Sequence, residues 1–199
     1  MKPSKRVRWG TIPFLLIFGV ASLALFAATP SGPSVGIILP IETVADYVHA
    51  VIEADRHIYT KHVVERMQAK GIVVASENWA EKNTLPLPAQ FLMESGRFIA
   101  KKGIGIRYRL ISRWPINTRN AASTEFEQSG LVAVIEQPDR PYVGLVESEG
   151  KRYFQALYAD LAVTQACLGC HNAHPDSPKR DFKLNDVMGG IVISIPVSQ

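Results

Sequence analysis

Cysteine is scarce in this chain, and acidic residues are missing from its start. Of 199 residues only Cys167 and Cys170 are cysteine, and no Asp or Glu precedes Glu42. A tetrahedral zinc site needs four N or S ligands in paired spacings, and there is no second pair of cysteines to supply them. The formal charge of +4 is carried by Lys2, Lys5, Arg6 and Arg8, because the remaining 18 basic residues balance the 18 acidic ones. A domain neutral beyond its first ten residues offers no clustered Lys and Arg for nucleic acid. There is also no internal repeat and no low-complexity tract.

Both cysteines fall in one stretch, Cys167-Leu168-Gly169-Cys170-His171. Two thiols at this spacing each reach one vinyl group of a porphyrin, and the tether sets His171 under the iron as proximal ligand. A dithiol cycling to a disulfide is the main rival, but it needs a stabilised thiolate and gives His171 no role. The motif therefore predicts one covalent haem c bound by Cys167, Cys170 and His171.

Thr11–Thr29 is 19 residues without a charge. As a helix it reaches roughly 28 Å, about one hydrocarbon core. The cations before it should stay cytoplasmic, which predicts a single-pass inner-membrane anchor with the haem domain in the periplasm. A cleaved signal peptide is the competing reading, but no Ala-x-Ala site follows the run: Phe26-Ala27-Ala28 has a bulky residue where a small one is needed. The expected organisation is a basic tail (1–10), an anchor through the lipid bilayer (11–29), a linker (30–40) and one folded domain (41–199). With 47% hydrophobic residues, the chain has enough apolar content for a core of that size.

Within the domain, Ile41 to Ala69 lacks Gly and Pro, repeats apolar residues at three and four, and meets Gly71, which predicts a long amphipathic helix. A second helix follows Pro88 and ends before Gly103. Ile104 to Leu110 alternates as a strand, and Thr124-x-x-Glu127 opens another helix despite Gly130. Tyr142–Val146 and Arg152–Leu161 read as a hairpin, and Gly189–Val197 as a last strand. Helices and strands grouped in this way argue an α+β fold.

A six-coordinate iron needs a second ligand, and the candidates are His49, His57, His62, His174, Met67, Met93 and Met188. At about 100° per residue, His62 falls on the face of Val48, Ile52, Tyr59 and Val63, His57 opposite, and His49 on the flank. His62 is the leading choice, against the plainer reading of a hydrogen-bonded core histidine. An iron open to a gas is a further alternative. His174, just before Pro175, suits a hydrogen bond to a propionate better than ligation. Arg107, Arg109, Arg113 and Arg119 form a basic cluster that is either a solvated face or a second propionate partner.

The blocks LPLPAQFLMESGRFI, IRYRLISRWPINTRN, TEFEQSGL and CLGCHNAHPDSPKRDFKLNDVMGGIVISIPV resemble the c-haem, PAS-like sensory domain family. That family includes single-domain cyanobacterial haem proteins and periplasmic parts of kinases, cyclases and chemoreceptors. The resemblance implies a PAS-like antiparallel sheet behind a long N-terminal helix, with one c-haem on Cys167, Cys170 and His171. Some members use a helix cysteine as distal ligand. This chain has none to spare, which leaves His62 as the helix-borne substitute. Signalling members continue into an output domain, whereas this sequence stops at Gln199. The expectation is a periplasmic monohaem cytochrome, an electron carrier or redox-poise subunit of a membrane complex rather than an enzyme. The competing expectation is a redox or gas sensor acting through a partner.

Overall fold

The structure is a computed structural model that describes residues 38–197. The expected tail, the 11–29 anchor and most of the linker lie outside the described residues. Among the described residues, no helix is long and apolar enough to cross a membrane.

The long helix begins as α1 (Ile41–Ile58), passes through π-helical turns at Tyr59–Glu65 and ends as α2 (Arg66–Ala69). It stops where expected: Ile72 N–H bonds the Met67 carbonyl and Gly71 N–H that of Gln68, a Schellman ending. The π turns could not be read from sequence, because they alter hydrogen-bond register and not composition. Next come the single turn α3 (Trp79–Lys82) and α4 (Pro88–Lys101), the latter with Pro at its first position.

Four strands follow: β1 (Arg107–Ile111), β2 (Tyr142–Ser148), β3 (Lys151–Leu161) and β4 (Val187–Pro196). Helix α5 (Glu125–Glu136) lies between β1 and β2, and α6 (Gln165–Ala173) between β3 and β4. The sheet order is β1-β4-β3-β2, antiparallel throughout, so the fold is α+β as expected. The hairpin pairs Ser148 with Lys151 across Glu149-Gly150, both at positive φ, the turn that matches strand twist.

Strand alternation splits the core in two. Tyr108, Leu110, Phe154, Ala156, Tyr158, Ile191, Ile193 and Ile195 meet α1 and α4 through Ala45, Ile52 and Leu92. Ile111, Leu157 and Val192 meet α5 through Leu131 and Val134. Gly130, which weakens a helix in isolation, is required here: a Cβ would stand 2.7 Å from Leu157 and 3.0 Å from Tyr142. Its missing side chain lets α5 lie close on the sheet.

Two of the four arginines around β1 are engaged by protein. Arg109 is held at the α5 side, Nε 3.4 Å from Glu127 and Nη2 donating to the Ala121 carbonyl at 2.8 Å, and Arg107 lies over the Tyr153 ring.

Candidate functional site

The cysteine motif lies on a helix, α6, where the sequence suggested only a connection between strands. Strand β3 ends at a bulge at Asp160/Leu161, and Ala162 N–H then bonds the Asp186 carbonyl. The chain turns into α6 after Thr164, whose buried hydroxyl lies 3.5 Å from Cys167 Sγ. Asn172 fixes the far end reciprocally: its amide donates to the Phe182 carbonyl at 2.9 Å and its oxygen accepts from Phe182 N–H at 3.0 Å.

One side of α6 is packed and the other is open. Cys167 and Leu168 rest with Trp114 on a buried cluster of Ala162, Phe182 and Met188. A Cβ at Gly169 would meet nothing, and Cys170 is exposed. Both thiols are free. Burial, Cys167 and Glu77 push the Cys170 thiol above its ordinary value, the reverse of what a reactive dithiol requires. Among the described residues no three His, Cys, Asp or Glu side chains gather as a metal site, so a zinc reading lacks its ligand set.

His171 is half-buried, its ring edge-on to Phe182 at 5.9 Å. Burial foremost, then the charges of Arg56 and His174, lower its pKa, so the ring is neutral near pH 7. Its Nδ1 is buried without a hydrogen-bond partner. Neutral imidazole is the form that binds iron, and an orphaned buried nitrogen marks a site missing a neighbour. Two free thiols one turn apart, this imidazole and the open ground over Gly169 fit a covalently attached haem.

The N-terminal helix reaches the end of β3 through one contact and the start of α6 through another. Arg56 and Asp160, both buried, form an ion pair at 3.0 Å, and Arg56 Nη1 donates to the Leu161 carbonyl at 3.4 Å. Glu65 accepts from Ala166 N–H at 3.3 Å, at the start of α6. Beside the ion pair lies a cleft of about 320 Å³, edged by His49, Glu53, His57 and Ile58 from α1 and by Leu161 and Val163. That is the low end of ordinary ligand pockets.

The histidines separate clearly. His49, expected on the flank, lines the cleft, stacks on Tyr158 at 3.9 Å and leaves Nε2 buried without a partner. His57, expected to face solvent, also lines the cleft. His174 caps α6, where Nδ1 accepts from Asp176 N–H at 3.1 Å and Nε2 lies 3.4 Å from Glu77, so both ring nitrogens are occupied by protein. That differs from the propionate contact expected of it. His62 is exposed and makes no hydrogen bond among the described residues, because Thr60 and Val64, two residues to either side, occupy the packed face. Its place on the core face is thus corrected, and the core-histidine reading falls with it. His62 lies instead between Ile58, at the cleft, and Glu65, bonded to α6. Met188 is buried beneath α6, and Met67 and Met93 are partly buried.

Sequence and fold comparisons agree with this geometry. No curated protein sequence matches the chain. A solved structure described as the crystal structure of the cyanobacterial heme-protein Tll0287 superposes with a TM-score of 0.51 at 14% identity, covering 81% of this chain and 99% of that one. At such low identity the likeness is one of fold. Residues 37–196, which include every element from α1 to β4, match the Tll0287-like family (Tll0287), and the chain belongs to that family.

Proposed function

We propose that this chain is a monohaem c-type cytochrome, a one-electron carrier or redox-poise subunit held at the outer face of a membrane by residues 11–29. The observation that carries the reading is α6 itself: two free thiols one turn apart, an open flank at Gly169 and a neutral His171 with a buried orphan nitrogen. The structural relative described as a heme-protein supports the same cofactor. Cys167 and Cys170 would hold the porphyrin covalently and His171 would ligate its iron. The haem supplies Fe(III)/Fe(II) cycling when bound. The surrounding chain keeps His171 neutral, fixes its helix through Asn172 and Phe182, and shields one side with Trp114, Leu168 and Met188. No catalytic residue is needed, and the PAS-like character belongs to this same reading.

For the opposite face of the iron we retain His62. It is supported by its place in the chain between Ile58, which edges the cleft, and Glu65, which bonds the first turn of α6, and by a ring that makes no hydrogen bond among the described residues. A second reading, a redox or gas sensor, draws on the Arg56–Asp160 and Glu65–Ala166 contacts, which tie the helix nearest the expected anchor to the strand that precedes the motif and to the first turn of α6.

Optical and spin-resonance spectra of both oxidation states, with and without CO, test the choice. The carrier reading expects low-spin iron in both states and no response to CO. A high-spin ferrous iron that takes up CO overturns it in favour of sensing. His62→Ala should convert the ferric iron from low to high spin, and an unchanged spectrum removes His62 as ligand.

A further inference from the structure

One end of the sheet gathers charge of one sign around exposed apolar side chains. From Ser95 to Thr124 the sequence holds seven Lys and Arg and no Asp or Glu. The first of these fall at the end of α4 and in the turn to β1. There Phe98 and Ile104 are 65% and 62% exposed, with Lys101, Lys102 and Arg107 exposed between and after them in the chain. Lys102 Nζ lies over the Phe98 ring at 5.1 Å. The turn is seated closely on the sheet: Gly103 and Gly105 take positive φ, and a Cβ at Gly105 would stand 2.6 Å from Pro196. Large apolar side chains left outward at one helix end and its turn mark a contact surface.

We infer that this end of the sheet docks on an anionic lipid surface. Strand register defines the end: β4 finishes with Ser194 opposite Arg107 at the start of β1, and with Pro196 opposite Tyr153 near the start of β3. The hairpin turn therefore adds Lys151 and Arg152, both exposed. Helix α1 begins at this end too. Its Asp46 accepts from the Tyr158 hydroxyl at 2.8 Å, whereas Arg56 reaches Asp160 and the Leu161 carbonyl, so the helix runs the same way as β3, toward α6. Ahead of it Ile38 and Leu39 are exposed. Helix α6 follows the other end of β3, so docking here leaves the motif open to a partner.

Charge selects the occupant. A surface that rests on anionic lipid carries Lys and Arg around aromatic and aliphatic side chains, the long stems lying along the apolar groups and the cations at the headgroups. That is the composition here. The acids of this end, Glu42, Glu147 and Glu149, are outnumbered by Lys101, Lys102, Arg107, Lys151 and Arg152, and Glu94 is engaged by Arg97. A second copy of the same end would set like charges against one another. The sequence outside the described residues favours lipid as well. Eleven residues, 30–40, separate the uncharged 11–29 run from α1, a reach of at most about 40 Å. Anchored by that run, this end of the domain meets the bilayer at high effective concentration. That last point rests on the proposed anchor, whereas the pattern of charge and exposed apolar groups does not.

Alkylation by a water-soluble maleimide, with the full chain in lipid nanodiscs, tests the inference. Ile104→Cys should react about ten-fold more slowly in discs containing phosphatidylglycerol than in discs of phosphatidylcholine alone, read at position 104 by peptide mass. Val132→Cys, exposed on α5, should react equally in both. Lys101→Glu combined with Lys102→Glu should restore fast reaction at position 104, as should molar salt. Equal rates for Ile104→Cys in the two lipids overturn the inference: fast reaction in both leaves this end off the bilayer, and slow reaction in both assigns it to a protein contact. A chain that does not enter discs removes the proposed anchor. The same rates with added vesicles of the two compositions then decide this surface, slowed reaction with phosphatidylglycerol supporting it and equal reaction overturning it.

Discussion

The two faces of the sheet are finished to different degrees. On the α5 face the polar groups at the helix start are closed locally, and one buried atom, Gln155 Oε1, is without a partner. Buried Glu127 accepts from Ser123 N–H at 2.7 Å and from its hydroxyl at 3.0 Å, and faces Arg109, while Thr124 caps the helix by accepting from Glu127 N–H. On the face shared by α1 and the motif helix, His49 Nε2, Arg56 Nε and His171 Nδ1 are buried without partners. Buried polar atoms are ordinarily paired, so the gathering of three of the four such orphans among the described residues on this side marks where the fold expects another group. The α5 face is finished by its own residues, and the α1 face is the one to which the proposed function assigns the chemistry.

Changes on the two faces should therefore separate. The largest effect is expected from Cys167→Ala combined with Cys170→Ala, which should abolish haem retention on a denaturing gel and leave the α5 face intact. Asp160→Ala strands Arg56 as a buried charge beside the motif. It should cost about 3–5 kcal/mol in denaturant unfolding, with a disturbed spectrum in whatever protein remains folded. Glu127→Ala leaves Ser123 and Arg109 without their acceptor and should cost about 1–3 kcal/mol, with no spectral change. A disturbed spectrum in that variant would break the distinction.

Acid should reach the α1 face first. Burial lowers the His49 pKa from its ordinary 6.5, against the opposing pull of Glu53 and Asp46. The unfolded chain therefore binds a proton at higher pH than the folded chain does. This contribution to stability is complete above about 6.5 and is lost as pH falls toward the lower folded value. Melting temperature should drop between pH 7 and pH 5, and His49→Phe, which keeps a ring on Tyr158 but cannot protonate, should flatten the drop. The smallest effect is expected from Thr124→Ala, about 1 kcal/mol from the lost α5 cap, read in the same unfolding curves.

What was legible in the sequence is what local chemistry fixes. Pro88, Gly71, the Thr124-to-Glu127 spacing and the Glu149-Gly150 turn each act within a few residues, and the elements they bound are where they were expected. Alternation in β1, β3 and β4 was equally local. The helix around the motif was not legible, because nine residues with a central Gly169 give little periodicity. The π turns were invisible for a deeper reason: a uniform 100° wheel assumes the hydrogen-bond register that they change. His62 and His57 were misplaced for another reason: the face was set by Val48, Ile52, Tyr59 and Val63, whereas the packed side carries Ala45, Ile52 and Arg56. The Arg56–Asp160 pair spans 104 residues, a separation no local pattern reports.

The central claim is that α6 carries a covalent haem on its two thiols. Intact mass under denaturing conditions, with thiol alkylation, tests it directly in protein matured with a c-type haem assembly system. The account predicts a chain heavier by one haem with neither Cys167 nor Cys170 alkylated. A chain of unmodified mass with both thiols alkylated would contradict it.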